Sequence, residues 1–273
     1  MKHKGGSTTV ILVVILIIGL SLLLYPSVSN YWNSLHQTRS ISSYVQTVSH
    51  IDDEEYRQII EAAVSYNEAL AESGILWKMD AQQRSEYNSL LSFDGNGNMG
   101  YLEIPKIKVQ LPIFHGTDDG ILQLGVGHLE GTSLPVGGPG SHCVLSGHRG
   151  LPSAKLLSNL NQMVVGDTFT LNVLDEILTY EVDQIRVVLP NDVRELEIVP
   201  GMDYCTLVTC TPYGINTHRL LVRGHRIANA PGKVRVTADA LQVNSKLVAL
   251  AIAVPLLLSI AVYNLLFPGK KRE

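Results

Sequence analysis

Two long stretches without a formal charge bracket this chain of 273 residues. No Asp, Glu, Lys or Arg occurs from Gly5 to Thr38, and none from Leu247 to Gly269. Each run meets the roughly 20 apolar residues that a helix needs to cross the hydrocarbon core of a bilayer. A simple cytosolic protein is thereby ruled out. The same two runs account for a mean hydropathy of +0.15 in a chain that is 45% apolar and 17% charged.

Charge fixes the orientation. Lys2 and Lys4 precede the first run, and Lys270, Lys271 and Arg272 follow the second. Lys and Arg mark the cytoplasmic side of membrane segments, so both termini are expected inside the cell and the middle outside, at the cell membrane. The expected division is a cytoplasmic tail over 1–7, a transmembrane helix or signal anchor over 8–25, and an extracellular arm over 26–98. A β domain over 99–240, a second transmembrane helix over 247–267 and a cytoplasmic tail over 268–273 follow. Ser27-Val28-Ser29 also reads as a small-x-small cleavage site, which would remove the first segment and leave the middle outside all the same. Removing the tails' five cations and one anion from the formal charge of −4 leaves the middle at −8. A nucleic-acid partner is not expected of such a surface.

The arm reads as helical. Asp52-Asp53-Glu54-Glu55 places acids where a helix N-terminus favours them, and Tyr56, Ile59, Ile60, Ala63, Val64 and Leu70 follow at helical spacing up to Ser73-Gly74. Residues 75–91 are mixed, and Asp94-Gly95-Asn96-Gly97-Asn98 is a turn cluster that ends the arm. Beyond it come short β-type runs: 101–104, 108–114, 142–146, 167–173, 178–188, 204–210 and 218–222. Short strands punctuated by Gly and Pro predict a β-sandwich or barrel. Two helical pieces are expected between them, over 118–124 and 153–163.

The chemistry-bearing residues gather at strand ends. Cys143, Cys205 and Cys210 are three thiols without metal-type spacing, neither a disulfide framework nor a zinc site, and no metal or cofactor is expected. Cys143-Val144-Leu145-Ser146-Gly147-His148 is an apolar strand running into a Gly-flanked His, and Cys205-Thr206-Leu207-Val208-Thr209-Cys210 stops at a Cys next to Thr211-Pro212. A Cys nucleophile needs a partner base because a free thiol is mostly protonated at neutral pH, and His148 supplies one. Arg219 and Arg223 share one face of the following strand, while Leu220 and Val222 point the other way. Cys205 lies five residues before Cys210, so it belongs on the opposite, core-facing side, and Cys143 stands likewise to His148. His115, His128, His142, His218 and His225 read as structural, and Asp118-Asp119 as a helix start.

This pattern resembles the sortases, cysteine transpeptidases of Gram-positive cell surfaces. Their marker is a T-L-x-T-C strand with an Arg several residues on and an upstream His, here Thr206 to Cys210, Arg219 and His148. The stretch from Gly127 to Pro135, the block from Thr206 to Arg226 and the second apolar run resemble the pilin-polymerising subgroup, class C. The resemblance implies a closed eight-stranded β-barrel and cleavage of an L-P-x-T-G sorting signal between Thr and Gly. Cys210 would hold the acyl group as a thioester, His148 would serve as general acid and base, and Arg219 would stabilise the oxyanion or the substrate. The implied partners are the sorting signals of pilins or surface proteins and an acceptor amine, in class C a Lys of the next pilin. Only the resemblance selects Arg219 over Arg223. Class C enzymes usually close the site with an Asp-Pro-aromatic lid in the arm, and no Asp-Pro pair occurs in this sequence. Trp77 is the lid candidate, with plain packing on the barrel as the alternative. Two other functions stay open: a sortase that anchors proteins to peptidoglycan, and a non-catalytic membrane-anchored scaffold.

Overall fold

A computed structural model describes residues 5–93, 95 and 97–229. The chain divides into two compact units, whose described residues are 5–28 and 29–229. The expected second membrane span and tail, 247–273, and residues 230–240 at the expected end of the β domain lie outside the described residues.

The first uncharged run is part of a 44-residue helix, α1 (Gly5–Val48), which contains Pro26. Its stretch Ile11–Val48 is the one helix among the described residues long and apolar enough to cross a membrane. Charges resume at Arg39 but the helix does not stop there, because Ile41, Tyr44 and Val48 recur at i, i+3 and i+7 and are buried against the second unit's core. The Tyr44 hydroxyl donates to the Met99 carbonyl (3.0 Å) and accepts from Leu174 N (2.7 Å), so a buried polar tip is satisfied from both sides.

Helix α2 (Asp53–Ser73) forms as its charge pattern predicts. Asp52 caps it by accepting from Glu54 N and Glu55 N, and Gly74 ends it at φ +83°, a conformation that favours glycine. Ala63, Asn67 and Leu70 form its buried stripe. A third helix, α3 (Ala81–Ser89), opens with a capping box in which Asp80 and Gln83 each accept from the other's backbone N–H.

The β domain is a closed barrel, in agreement with the expected fold. Its strands are β1 (Asn98–Ile104), β2 (Val109–His115), β3 (Val126–His128), β4 (Ser141–Ser146), β5 (Thr168–Val173), β6 (Glu176–Val188), β7 (Asp203–Thr211) and β8 (His218–Ile227). Around the barrel they run β1-β2-β3-β4-β7-β8-β6-β5. The pairs β2–β3 and β4–β7 are parallel and the rest antiparallel. A short helix, α4 (Asp119–Leu124), leads into β3.

Strand alternation sorts the side chains into two layers. Cys143, Leu145, Cys205, Leu207, Leu220 and Val222 point into the barrel. Val144, Val208 and Leu221 point outward, where the β6–β7 connection lays Leu196 and Val193 over them as a second apolar cluster.

One expected element is absent. Residues 153–163 form turns and a single 3-10 turn at Leu160–Gln162, not a helix. Leu156 sits at φ +36°, which a right-handed helix does not admit, and Ala154, Leu156, Leu157 and Leu160 are each inserted into the core from a loop. Their spacing mimics a helical stripe without forming one.

Candidate active site

Strand β4 and strand β7 run parallel with a constant register, from Ser141 beside Asp203 to Ser146 beside Val208. The ladder ends there, and hydrogen bonds between the two chain segments continue past it. Gly147 N donates to the Val208 carbonyl (3.0 Å), Thr209 Oγ1 donates to the Gly147 carbonyl (2.7 Å), and Arg149 Nη1 donates to Thr211 Oγ1 (3.2 Å). The last two bonds span 62 residues, the offset of the β4–β7 ladder itself. In each strand extension the bonded residues flank the chemistry: Gly147 and Arg149 stand on either side of His148, and Thr209 and Thr211 on either side of Cys210.

Across the other edge of β7, Cys210 is the register partner of Arg219 on β8. Cys210, His148 and Arg219 are all partly exposed at this end of the barrel. Arg219 Nη1 donates to the carbonyls of Asn216 and His218, both at 3.2 Å, which holds its guanidinium at the strand end while leaving further donors in the fork. Arg223 is committed elsewhere. It binds both carboxylate oxygens of Asp183, at 3.0 and 2.8 Å, and stacks 4.2 Å above the Tyr204 ring. In register, Arg219 pairs with Cys210 and Arg223 with Thr206.

A cavity of about 290 Å³ runs along the outer face of β4, β7 and β8, and its walls include Val144, Ser146, Val208, Leu221 and Arg219. The β6–β7 connection forms its far side through Leu189, Pro190 and Leu196. The lining of this trough is largely apolar and carries two charged side chains, Asp192 and Arg219, the latter the register partner of Cys210. A largely apolar cleft with a few polar groups is the usual make-up of a ligand-binding site.

The sequence and the fold have recognisable relatives. Residues 102–227 match the model of the sortase domain. The structure superposes on sortase C1 from Streptococcus agalactiae with a TM-score of 0.69 at 55% identity, covering 70% of this chain and 100% of that one. It also superposes on Streptococcus pneumoniae sortase C (TM-score 0.64, 46% identity, 71% and 99% covered). A third is Clostridium perfringens sortase C, solved with the C-terminal cell wall sorting motif (0.61, 42%, 70% and 99%). The chain belongs to the sortase family. Sortases are cysteine transpeptidases, and the solved relatives named here are of class C. Among curated sequences, Bacillus subtilis sortase D is 31% identical over 47% of this chain and 63% of its own length, and Streptococcus agalactiae sortase A is 32% identical over 41% and 47%. The match thus spans about half to two thirds of those relatives.

The remaining cysteines lie in the core. Cys143 and Cys205 are register partners inside the barrel and fully buried, and burial pushes the Cys205 thiol up. Three histidines are satisfied structural groups. His128 meets the Tyr87 hydroxyl (2.9 Å) and the Ser133 carbonyl (2.8 Å), and His115 meets the carbonyls of Gly97 and Leu90. His142 lies between Thr206 Oγ1 and the Glu197 carbonyl, and burial lowers its pKa to about 4. His218 meets Thr217 Oγ1 at the exposed start of β8.

Trp77 lines the same cavity as Arg219 and is 40% exposed. Its segment is laid onto the barrel by Leu76 N, which donates to the Gly131 carbonyl (3.0 Å), and by an ion pair from Arg84 to Glu130 (2.8 Å). A Cβ at Gly131 would stand 2.1 Å from the Leu76 carbonyl oxygen, so glycine is required for this approach. Sequence reasoning missed Arg149 and the β6–β7 wall. Arg149 was visible inside Gly147-His148-Arg149-Gly150, but nothing in the sequence ties it to Thr211.

Proposed function

We propose that this sortase is a membrane-anchored pilin polymerase. It cleaves an L-P-x-T-G-type sorting signal between Thr and Gly at Cys210 and passes the acyl group to a Lys amine of another pilin subunit. The observation that supports the reading is the pair of hydrogen bonds beyond the β4–β7 ladder, Gly147 with Thr209 and Arg149 with Thr211, which flank His148 and Cys210, together with the register pairing of Cys210 and Arg219. The class C relatives support the choice of acceptor, and α1 supports attachment to the membrane, with the arm 26–98 and the barrel 99–240 outside.

The apolar trough would take the signal's Leu and Pro side chains, leaving the scissile carbonyl at Cys210. The Cys210 sulfur attacks that carbon, charge builds on the carbonyl oxygen, and the Arg219 fork donates to it. His148 protonates the departing Gly amine as the C–N bond breaks. The thioester retains the acyl energy without ATP, which an exported enzyme lacks. His148 then takes a proton from the incoming Lys amine, and an amide replaces the thioester. Mass spectrometry of products formed from a sorting-signal peptide and a pilin Lys peptide tests this directly. A branched Lys conjugate is expected. Conjugation only to a peptidoglycan stem amine would instead make the enzyme a wall-anchoring sortase.

A further inference from the structure

The residue after His148 makes a contact that the proposed chemistry does not use. Arg149 reaches across to β7, where its Nη1 donates to Thr211 Oγ1 (3.2 Å), and its guanidinium lies 5.9 Å from the Tyr213 ring. Its Nε is buried without a hydrogen-bond partner, one of two such side-chain atoms among the described residues. An Arg that leaves a buried donor unsatisfied costs stability, and a solvated Arg would avoid the cost. The geometry that justifies it is local. The two bonded pairs, Gly147 with Thr209 and Arg149 with Thr211, enclose His148 and Cys210 between them. On the far side Gly150 N donates to Ser158 Oγ (3.1 Å) and the Tyr213 ring packs on Gly150, where a Cβ would lie 3.1 Å from it. The loop after β4 and the loop after β7 are therefore clipped together just past the reacting pair.

We propose that Arg149 is a positioning residue, holding the His148 loop at the distance from Cys210 at which the imidazole can hand a proton to the leaving amine. This rests on the cysteine-transpeptidase reading above. In acylation the Cys210 sulfur–carbon bond forms, the substrate C–N bond breaks, and the proton on His148 goes to the departing nitrogen. Attack by sulfur needs His148 only as the base and counter-charge of the thiol, an electrostatic effect that falls off gradually with distance, whereas protonation of a poor leaving group needs the imidazole within hydrogen-bond reach of the departing nitrogen. A misplaced His148 thus penalises amide substrates selectively.

The test compares two substrates of the same peptide sequence, the amide sorting signal and an analogue with an activated ester at the scissile position. Arg149→Ala is expected to lower kcat for the amide about tenfold or more with KM nearly unchanged, and to leave ester cleavage within about twofold. Thr211→Val breaks the same bond from the other side without altering charge, and should reproduce that selectivity. The double variant should be no slower than the slower single one, because one interaction is lost in all three. Equal losses on amide and ester, or full amide activity in Arg149→Ala, would overturn the proposal. So would loss in Arg149→Ala with none in Thr211→Val, since the charge and not the bond would then matter. Melting temperature and circular dichroism identify a misfolded variant, and Thr211→Val carries the test if Arg149→Ala is one. Amide cleavage that persists in Cys210→Ala would instead refute the underlying cysteine reading.

Discussion

Thr209 and Gly147 are joined by a 2.7 Å hydrogen bond from the Thr209 hydroxyl to the Gly147 carbonyl, one residue short of Cys210 on one strand and of His148 on the other. Thr209 is 1% exposed, so neither partner can be replaced by water. The Thr that precedes the Cys in the T-L-x-T-C strand therefore has a physical task beyond strand propensity. Thr209→Val, which keeps the shape and removes the donor, should cost about 1–2 kcal/mol of stability and lower peptide cleavage about tenfold. Thr209→Ser should retain most of both. Urea unfolding and peptide turnover on the two variants check this, and an active Thr209→Val would show the bond to be dispensable.

The three thiols should separate cleanly. Cys210→Ala is expected to abolish cleavage and transfer, because Cys210 alone is partly exposed beside Arg219. Cys143→Ala and Cys205→Ala remove buried core atoms and should lower stability by about 1–2 kcal/mol while leaving turnover within a few-fold. Alkylation of the native enzyme should mark Cys210 alone, and a folded but inactive Cys205→Ala would contradict the assignment.

Arg219 and Arg223 are expected to fail in different ways. Arg219→Ala should lower turnover about a hundredfold or more with little change in melting temperature, and Arg219→Lys should recover little because an ammonium lacks the forked donors. Arg223→Ala loses the paired hydrogen bonds to Asp183 and the stacking on Tyr204, and should cost about 2 kcal/mol of stability with turnover largely kept. Swapped phenotypes would transfer the catalytic role to Arg223.

Much of this was legible from residue order alone. Alternation along β7 and β8 sent Cys205, Leu220 and Val222 inward and Cys210 and Arg219 outward, because a period of two needs no tertiary information. Asp52 and Gly74 delimited α2 because capping is local. What stayed hidden depends on long-range contacts. Strand β3 has three residues and is held by partners on both edges, too short for any periodicity to appear. Tyr44, which anchors the end of α1, acts on Met99 and Leu174, and the Arg149–Thr211 clip spans 62 positions.

Acid should weaken the fold through His142. Burial lowers its pKa to about 4, with the Arg223 cation nearby acting in the same direction and the Glu197 carbonyl and Asp183 against it. Below the ordinary value near 6.5 the unfolded chain takes up a proton that the folded one refuses until about pH 4. Stability therefore falls as pH drops through that window, by about 3 kcal/mol in all from this group. Melting temperatures from pH 7.5 to 4 should show this slope, and His142→Gln should flatten it although the variant starts less stable. An identical slope in the variant would assign the loss to other groups.

The arm offers the last prediction. Trp77 lines the trough with Arg219, and its segment hangs on the Leu76–Gly131 hydrogen bond and the Arg84–Glu130 ion pair. We propose that the segment is a lid that competes with the sorting signal, performing with Trp77 what an Asp-Pro-aromatic motif does elsewhere in class C. At 40% exposure a Trp supplies about 1–2 kcal/mol, and the exposed ion pair less than about 1, so the closed state should outweigh the open one by roughly tenfold. Trp77→Ala should then raise the labelling rate of Cys210 several-fold and lower KM for the peptide. Gly131→Ala offers an independent route to the same end. Its Cβ would meet the Leu76 carbonyl oxygen at 2.1 Å and expel the segment while Trp77 itself stays intact. If Trp77 only packs the arm onto the barrel, Trp77→Ala lowers the melting temperature without faster labelling, and Gly131→Ala does the same. Labelling rate and melting temperature measured on both proteins decide the matter, and the lid reading fails if neither variant labels faster than the native enzyme.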